Sequence, residues 1–257
     1  MSRVRIIAIA NQKGGVGKTT TSINLSACIA ELGKKVLLID IDPQGNTTSG
    51  LGFDKNSIKD TIYDIMLEEK TIEEVIKNTC VNNLDIVPAN ISLTGAEIEL
   101  IGNENREFIL KKSLDNIKDN YDFIIIDCPP SLNIITINAL TVSNTVLVPI
   151  QCEYFALEGL EQLLHTIRLV RERLNPYLDI EGIVFTMFDA RTNLSLQVVE
   201  EVKRSLGKNI YRSIIPRNVR LGEAPSHGLP ITLYDSKSKG AESYRFLAEE
   251  VLKKEWS

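Results

Sequence analysis

The chain has 257 residues, of which 43% are hydrophobic and 25% are charged, and its formal net charge is −5. This composition is ordinary for a globular protein, and no apolar run approaches the ~20 residues of a membrane span. The four cysteines form no CxxC pair, which favours reduced thiols over a disulfide scaffold or a metal cluster, and the acidic balance argues against a constitutively basic nucleic-acid binder.

The first predicted element is a buried strand at residues 6–10 (IIAIA), followed by a glycine-rich loop and a helical pattern at residues 19–32. This order is the context of a phosphate-binding loop. Glycines let successive N–H groups point inward, and the helix N-terminus adds donors and partial positive charge. The predicted nucleotide-binding residues of this loop are consecutive: Lys13, Gly14, Gly15, Val16, Gly17, Lys18, Thr19 and Thr20.

Two residues of the loop have predicted roles in phosphate and metal binding. Lys18 is expected to reach the outer phosphates, and Thr19 to place its hydroxyl on Mg²⁺, a cation that prefers oxygen ligands. The loop departs from the standard template, because Gln12 replaces the glycine expected five positions before Gly17, and an additional lysine, Lys13, opens it. A lysine at that position can point toward a phosphate bound by a second copy of the chain. The alternative is a glycine-rich turn with two solvated lysines.

A second buried strand is predicted at residues 36–39, where a continuous apolar run leads into DIDPQGN at residues 40–46. Alternation along the strand puts Asp40 and Asp42 on the same side. Ligands of open α/β sheets bind at the carboxyl ends of the strands. We therefore expect Asp42 to position a water near the γ-phosphate and Asp40 to assist around Mg²⁺. For Asp40, capping of a turn is the alternative.

The middle of the chain contains a further metal-binding candidate. Patterns at residues 84–89 and 97–118 predict a strand and a helix, and the run YDFIIID at residues 121–127 ends in Asp127. An apolar strand that ends in aspartate is typical of a Walker B strand, whose acid holds Mg²⁺ through a water. Because such strands are common, the motif alone is weak evidence for a Mg²⁺ site. Its presence together with the glycine loop and DIDPQGN makes that evidence strong.

Together, KGGVGKTT at residues 13–20, DIDPQGN at residues 40–46 and IIIDCPPS at residues 124–131 resemble the ParA/Soj family of deviant Walker A ATPases, the group that also contains MinD. The resemblance extends through QCEYFALEG at residues 151–159 and through residues 215–228, and it is greatest to the chromosomal Soj type. It implies an α/β fold with a doubly wound, mostly parallel sheet flanked by helices on both faces.

The resemblance also implies an activity and a set of partners. It implies an ATPase that uses ATP and Mg²⁺, forms a homodimer around ATP and is stimulated by a ParB-type protein. In such a dimer Lys13 crosses to the partner's nucleotide, and Asp42 supports hydrolysis. The expected organisation is one P-loop ATPase domain over residues 1–257, in a cytoplasmic, nucleoid-associated protein that serves chromosome or plasmid segregation.

The second half of the chain is expected to complete the sheet. Strands are predicted at residues 145–150, 182–188 and 210–215, and an amphipathic helix is predicted at residues 157–174. Glu153 follows the first of these strands and is therefore expected near the nucleotide. The resemblance places Pro216 and Asn218, after the last strand, against the adenine. A turn-forming role for both residues is the alternative.

A basic segment points to a second ligand. Residues 186–220 contain seven basic and three acidic residues, in a chain whose net charge is negative. Such a region suggests contact with phosphate backbones without base reading, and the resemblance points to Arg191 and Arg220 as the residues that contact non-specific double-stranded DNA. If each subunit carries one weakly binding basic patch, a dimer presents two of them to the same DNA and binds more tightly. Because the dimer is expected to form with ATP, DNA binding is then expected to depend on ATP. The alternative is an ordinary solvated face.

Two other functions compete with this interpretation. A MinD-like membrane ATPase ends in a basic amphipathic helix, whereas residues 241–256 contain four glutamates, so membrane binding is not expected. A metabolic enzyme that shares the loop, such as an ATP-dependent ligase, needs a second substrate pocket or a cysteine pair, and the sequence shows neither.

Overall fold

A computed structural model describes residues 4–153, 156–188, 193–206 and 209–254 of the protein. The strands of this part are β1 Arg5–Ile9, β2 Val36–Asp40, β3 Lys77–Asn78, β4 Leu84–Val87, β5 Phe123–Asp127, β6 Thr145–Gln151, β7 Asp179–Phe188 and β8 Ile210–Pro216. The α-helices are α1 Lys18–Glu31, α2 Asn46–Gly50, α3 Ile62–Met66, α4 Ile72–Val75, α5 Leu93–Glu99, α6 Ile109–Leu114, α7 Ile134–Val142, α8 Ala156–Arg173, α9 Asn193–Leu206, α10 Val219–Glu223, α11 Ile231–Tyr234 and α12 Lys239–Lys253.

The described strands form one sheet in the order β3-β4-β2-β5-β1-β6-β7-β8. Its pairs are parallel except the short antiparallel pair of β3 and β4. The predicted mostly parallel, doubly wound sheet is therefore confirmed. Because β5 lies between β1 and β2, the loops that follow these three strands meet at one edge of the sheet.

Helices cover the sheet on both faces, and the alternation of side chains along each strand separates two apolar cores. In β1, Ile7 and Ile9 belong to the core beneath α1 and α12. Ile6 and Ala8 face the opposite core, which α3 to α9 complete. Every residue of β1, β2 and β5 is buried, which explains why these segments are continuous apolar runs instead of alternating patterns.

One predicted element is wrong. Residues 97–118, expected to be helical, instead contain the end of α5, a 3-10 turn at Arg106–Phe108, and the short helix α6. Gly102 has φ of 96° and Asn105 has φ of 61°, both in the left-handed region that interrupts an α-helix. The helical spacing of apolar residues continues across this interruption because α5 and α6 pack against the same core.

A buried ion pair ties the two ends of the chain to the amino-terminal end of the sheet. Glu181 of β7 accepts hydrogen bonds from Arg5 at 2.9 Å, from Thr145 at 2.6 Å and from Tyr211 at 2.7 Å. Arg5 also donates to the carbonyl oxygen of Val251 at 2.5 Å. Burial alone raises the pKa of Glu181, but the charge of Arg5 and the hydroxyl donors outweigh that effect and lower it.

Replacing Glu181 by alanine is expected to lower the free energy of unfolding by about 3–5 kcal/mol, because it removes the buried carboxylate that pairs with the guanidinium of Arg5. Urea denaturation measures the loss. Glu181→Gln, which keeps an acceptor for Tyr211, should lose less, and Glu73→Ala on the exposed side of α4 should change stability by about 0.5 kcal/mol at most. A loss for Glu181→Ala no larger than for Glu73→Ala would contradict this prediction.

Candidate functional site

The glycine loop links β1 to α1, and hydrogen bonds to neighbouring strands fix its conformation. Gly15 and Gly17 have φ of 75° and 88°, values that other residues adopt at a cost, and Gly17 directly precedes the first turn of α1. Thr186, at the end of β7, donates its hydroxyl to the carbonyl oxygen of Val16 at 2.7 Å. Asn11 donates to the carbonyl oxygen of Pro149 at 2.8 Å. The loop is therefore fixed between the ends of β6 and β7.

Lys18 is a buried cation inside this loop. Its side chain amine donates to the carbonyl oxygen of Lys13 at 3.1 Å, and the residue is 7% exposed. Burial lowers the pKa of Lys18, an effect that the charges of Asp127 and Asp42 partly offset. A buried ammonium beside a glycine loop and a helix N-terminus is suited to an anion of high charge density, such as a phosphate.

Asp127 collects three hydroxyl donors at the end of β5. Thr19 donates to one carboxylate oxygen at 2.9 Å and Thr47 to the same oxygen at 2.7 Å, while Ser22 donates to the other at 2.8 Å. Burial raises the pKa of Asp127 and these hydrogen bonds oppose the rise. The carboxylate therefore joins α1, α2 and β5, and it contacts the hydroxyl that the sequence assigned to Mg²⁺.

The two aspartates of DIDPQGN lie at the end of β2 and have different contacts. Asp40 pairs in register with Asp127, and its own oxygens accept hydrogen bonds from the backbone and hydroxyl of Thr48 at 2.9 and 2.7 Å and from the backbone of Asp42 at 3.1 Å. Burial, followed by the charge of Asp127, raises the pKa of Asp40 to about 7. Both oxygens of Asp40 are thus engaged in fixing the start of α2, which corresponds to the turn-capping alternative.

Asp42 keeps more of its carboxylate available than Asp40. One oxygen accepts a hydrogen bond from the backbone of Gln44 at 2.9 Å, and the residue is 9% exposed. It lies on the loop that follows β2, two strands away from the glycine loop, with Asp127 between them in the sheet order. Asp42 is therefore a carboxylate at the edge of the site, and its charge is one of those that oppose the lowering of the Lys18 pKa by burial.

Lys13 points out of the loop and pairs with an acid at the end of β6. Its amine lies 2.8 Å from a carboxylate oxygen of Glu153, and the two side chains are 28% and 48% exposed. Gln151 donates to the other oxygen of Glu153. The structure thus brings Lys13 and Glu153 together at the mouth of the site, while Lys18 occupies its interior.

Known proteins are similar in sequence to this chain over most of its length. A family model described as AAA domain matches residues 4–180. The chain is 61% identical to the sporulation initiation inhibitor protein Soj of Bacillus subtilis, over 96% of this chain and 98% of the relative. It is 55% identical to the chromosome partitioning protein ParA of Myxococcus xanthus, over 98% of this chain and 89% of the relative. The chain belongs to the ParA/Soj family of partition ATPases.

A solved structure shows the same fold at lower identity. The structure named cobyrinic acid a,c-diamide synthase of Mycobacterium smegmatis, with bound ATP analogue and magnesium, superposes with a TM-score of 0.86 and 37% identity. The alignment covers 97% of this chain and 95% of that chain. The resemblance to ParA/Soj proteins that the sequence motifs indicated is confirmed, and so is the P-loop fold.

The predicted adenine contacts lie where β8 ends. Pro216 is the last residue of β8 and pairs in register with Phe188, at the same edge of the sheet as the phosphate loop. Asn218 begins α10, because its side chain accepts a hydrogen bond from the backbone of Arg220 at 2.9 Å. In this subunit Asn218 therefore has the turn-forming role, and its adenine contact stays a prediction.

The two arginines predicted to bind DNA differ in what the structure describes. Arg191 lies outside the described residues. Arg220 is exposed and forms ion pairs with Glu223 and Asp235.

Sequence reasoning missed four residues of the site: Asn11, Ser22, Thr47 and Thr186. Ser22 lies one turn into α1, after the glycine loop, and Thr47 lies at the start of α2, after DIDPQGN. Their hydroxyl groups, so close to recognised motifs, were the signal that could have identified them as site residues. Asn11 and Thr186 hold the loop through partners 138 and 170 residues away, for which the local sequence carries no signal. No helix in the described part of the chain has the length and apolar character that a membrane crossing requires.

Proposed function

We propose that this protein is an ATP-switched partition ATPase that binds and hydrolyses ATP with Mg²⁺, pairs with a second copy when ATP is bound, and then holds double-stranded DNA non-specifically. A ParB-type partner is proposed to stimulate hydrolysis and release the dimer. We also propose that residues 1–257 form one domain and that the protein is cytoplasmic and associated with the nucleoid. The observation that carries it is the pair of lysines, Lys18 inside the loop and Lys13 at its mouth.

The chain's own residues fit a magnesium triphosphate. Lys18 and the N–H groups of the glycine loop suit the β- and γ-phosphates, and Thr19 with Asp127 offers the oxygen environment that Mg²⁺ prefers. Bound Mg²⁺ supplies neutralisation of phosphate charge. Asp42 is proposed to orient the attacking water and Lys13 to neutralise charge on the partner's nucleotide. Glu153, Pro216 and Asn218 are proposed to contact the remainder of the nucleotide. Asp40 is proposed to assist at the Mg²⁺ site indirectly, by fixing the loop that follows β2.

The exposure of Lys13 at the mouth of the site supports its proposed action between subunits. In this single subunit its contact is an exposed ion pair with Glu153, and such pairs are worth little, about 0–1 kcal/mol. A doubly charged phosphate presented by a second subunit competes well for the same amine. Gly14 beside it has open space where a side chain would stand, so the backbone at this point leaves room for a close neighbour.

Sizing the protein by light scattering tests the proposal, with ADP and with a non-hydrolysable ATP analogue, each with and without duplex DNA. We expect a single subunit with ADP, a dimer with the analogue, and DNA bound to the dimer alone. Equal retention on DNA without nucleotide would rule out the switch. A dimer with the analogue but no DNA binding would reject only the DNA part of the proposal.

Replacing Gly14 by valine is expected to prevent the ATP-dependent dimer while leaving the subunit folded and able to bind ATP. A Cβ atom added at Gly14 meets nothing within 4 Å in the subunit itself, so we expect the bulk of valine to matter where two loops approach. Light scattering and nucleotide titration measure the two properties. Gly222→Val, also in open space but on α10, is the matched control. A Gly14→Val protein that still dimerises with the analogue would show that this loop lies away from the interface.

The two competing functions have less support in the structure. The apolar residues Tyr244, Leu247 and Val251 of α12 are buried against the domain, which leaves this face without access to lipid, and co-sedimentation with anionic liposomes tests membrane binding directly. For a metabolic ligase, ATP turnover should respond to a small acceptor molecule. For a partition ATPase it should respond to DNA together with the partner protein.

A further inference from the structure

Arg220, the described arginine of the proposed DNA contact, is clamped by two acids of its own subunit. Its terminal nitrogen lies 2.9 Å from a carboxylate oxygen of Glu223, and its Nε lies 3.6 Å from Asp235. The guanidinium is 54% exposed, so it faces solvent but has an anion on two of its edges. We call these three residues the Arg220 clamp.

Neighbouring side chains hold the acids of the clamp in position. Tyr234 donates its hydroxyl to the same oxygen of Glu223 at 3.2 Å, and the ring of His227 stacks on Tyr234 with centroids 4.9 Å apart. Asp235 directly follows α11, and its backbone N–H donates to the carbonyl oxygen of Ile231 at 2.8 Å. Because both acids are anchored to separate elements, the pairing is a feature of the fold at this point and not a chance meeting of two mobile side chains.

The clamp has a direct consequence for phosphate binding. A guanidinium binds phosphate best through two parallel N–H donors, and here Nη1 and Nε are already directed at carboxylates. The cluster of one cation and two anions also carries net negative charge, which repels a DNA backbone. A phosphate must therefore displace at least one acid before Arg220 can bind it in a bidentate manner.

We propose that Glu223 and Asp235 are autoinhibitory counter-ions that weaken the DNA contact of Arg220, so that one subunit binds DNA too weakly and only a dimer is retained. This inference rests on the proposed DNA binding of Arg220 and adds the element that sets its strength. Each exposed ion pair contributes little to stability, so the binding free energy of DNA phosphates that contact two subunits at once is enough to break the clamps. The phosphate contacts of a single subunit supply too little binding free energy to do so.

The test compares DNA affinity of the wild type with that of Glu223→Gln, Asp235→Asn and the double variant, with ADP and with a non-hydrolysable ATP analogue. The amide oxygen introduced by Glu223→Gln can still accept the hydrogen bond of Tyr234, so the local fold should persist, which thermal unfolding checks. Removing any acid reduces repulsion of DNA. Asp54→Asn is therefore the charge-matched control for each single variant, because Asp54 is exposed and lies two residues from Gly52, which contacts Gly228 near the clamp. For the double variant the matched control combines Asp54→Asn with Glu73→Gln, which also removes two exposed negative charges.

With the ATP analogue, we expect the double variant to bind duplex DNA about fivefold more tightly than its two-charge control, Asp54→Asn with Glu73→Gln. We also expect the double variant to show measurable binding with ADP. In an Arg220→Ala background this excess should disappear, because the two acids then have no guanidinium to release. Such a double-mutant cycle separates the clamp from the general effect of charge.

Two outcomes count against the proposal and can be told apart. If the wild type with the ATP analogue binds no DNA, the proposed function fails and the clamp with it. If the wild type binds DNA and Arg220→Ala weakens that binding, but the clamp variants bind no more tightly than their charge-matched controls, the DNA contact stands and only the autoinhibitory role is rejected.

Discussion

Lys18→Ala is expected to abolish ATP binding, with an increase in Kd of about 100-fold or more. The amine is buried in the loop with a backbone carbonyl as its hydrogen-bond acceptor, and within the described residues no carboxylate forms a direct ion pair with it. Charge-assisted hydrogen bonds of about 3 kcal/mol to a phosphate account for a loss of this size. Isothermal titration with an ATP analogue and Mg²⁺ measures it.

Lys18→Met is the matched variant for this prediction, because it keeps about the length and burial of the side chain and removes the ammonium charge together with its N–H donors. It should lose ATP affinity as fully as the alanine variant, and its thermal unfolding temperature without nucleotide should equal or exceed that of the wild type, since burying a cation is costly. Retention of near-normal affinity by Lys18→Met would mean that the loop N–H groups, and not the charge, dominate phosphate binding.

Asp42→Ala is expected to slow ATP hydrolysis by about 100-fold or more while leaving a stable ATP-bound dimer. A positioned carboxylate that accepts or orients a proton contributes about 10²–10⁴-fold to such a reaction. The contacts of Asp42 are with the backbone of its own loop, so its loss should leave Asp127 and the hydroxyls around it in place. Phosphate release and light scattering with ATP itself measure the two effects.

Asp42→Asn distinguishes the chemical role of Asp42 from its structural role. The amide keeps an oxygen that can accept the backbone hydrogen bond of Gln44, so the loop should keep its shape, but the negative charge is gone. Hydrolysis as slow as in Asp42→Ala, with a dimer of equal stability, supports the proposed role. Unaltered hydrolysis in either variant would remove Asp42 from the mechanism.

The phosphate loop and the sheet were predictable because their signals are local. Residues 13–20 carry the glycines and lysines of the cradle in consecutive positions, and buried parallel strands read as apolar runs such as those of β1, β2 and β5. The failure at residues 97–118 is also local in origin. An apolar period describes which side chains face the core, and a chain can keep that period while Gly102 and Asn105 turn the backbone out of a helix.

The sequence by itself determined the cradle, the three acids at strand ends and the membership in the ParA/Soj family, because each depends on residues that are adjacent in the chain. Only the tertiary structure decided that β5 lies between β1 and β2 and thereby gathers Thr19, Ser22 and Thr47 around Asp127. It also decided that Lys13 pairs with Glu153 and that Arg220 is clamped by Glu223 and Asp235. Hydrogen bonds and ion pairs act over about 3 Å in space, whatever the separation along the chain, so they follow from the packing of the elements.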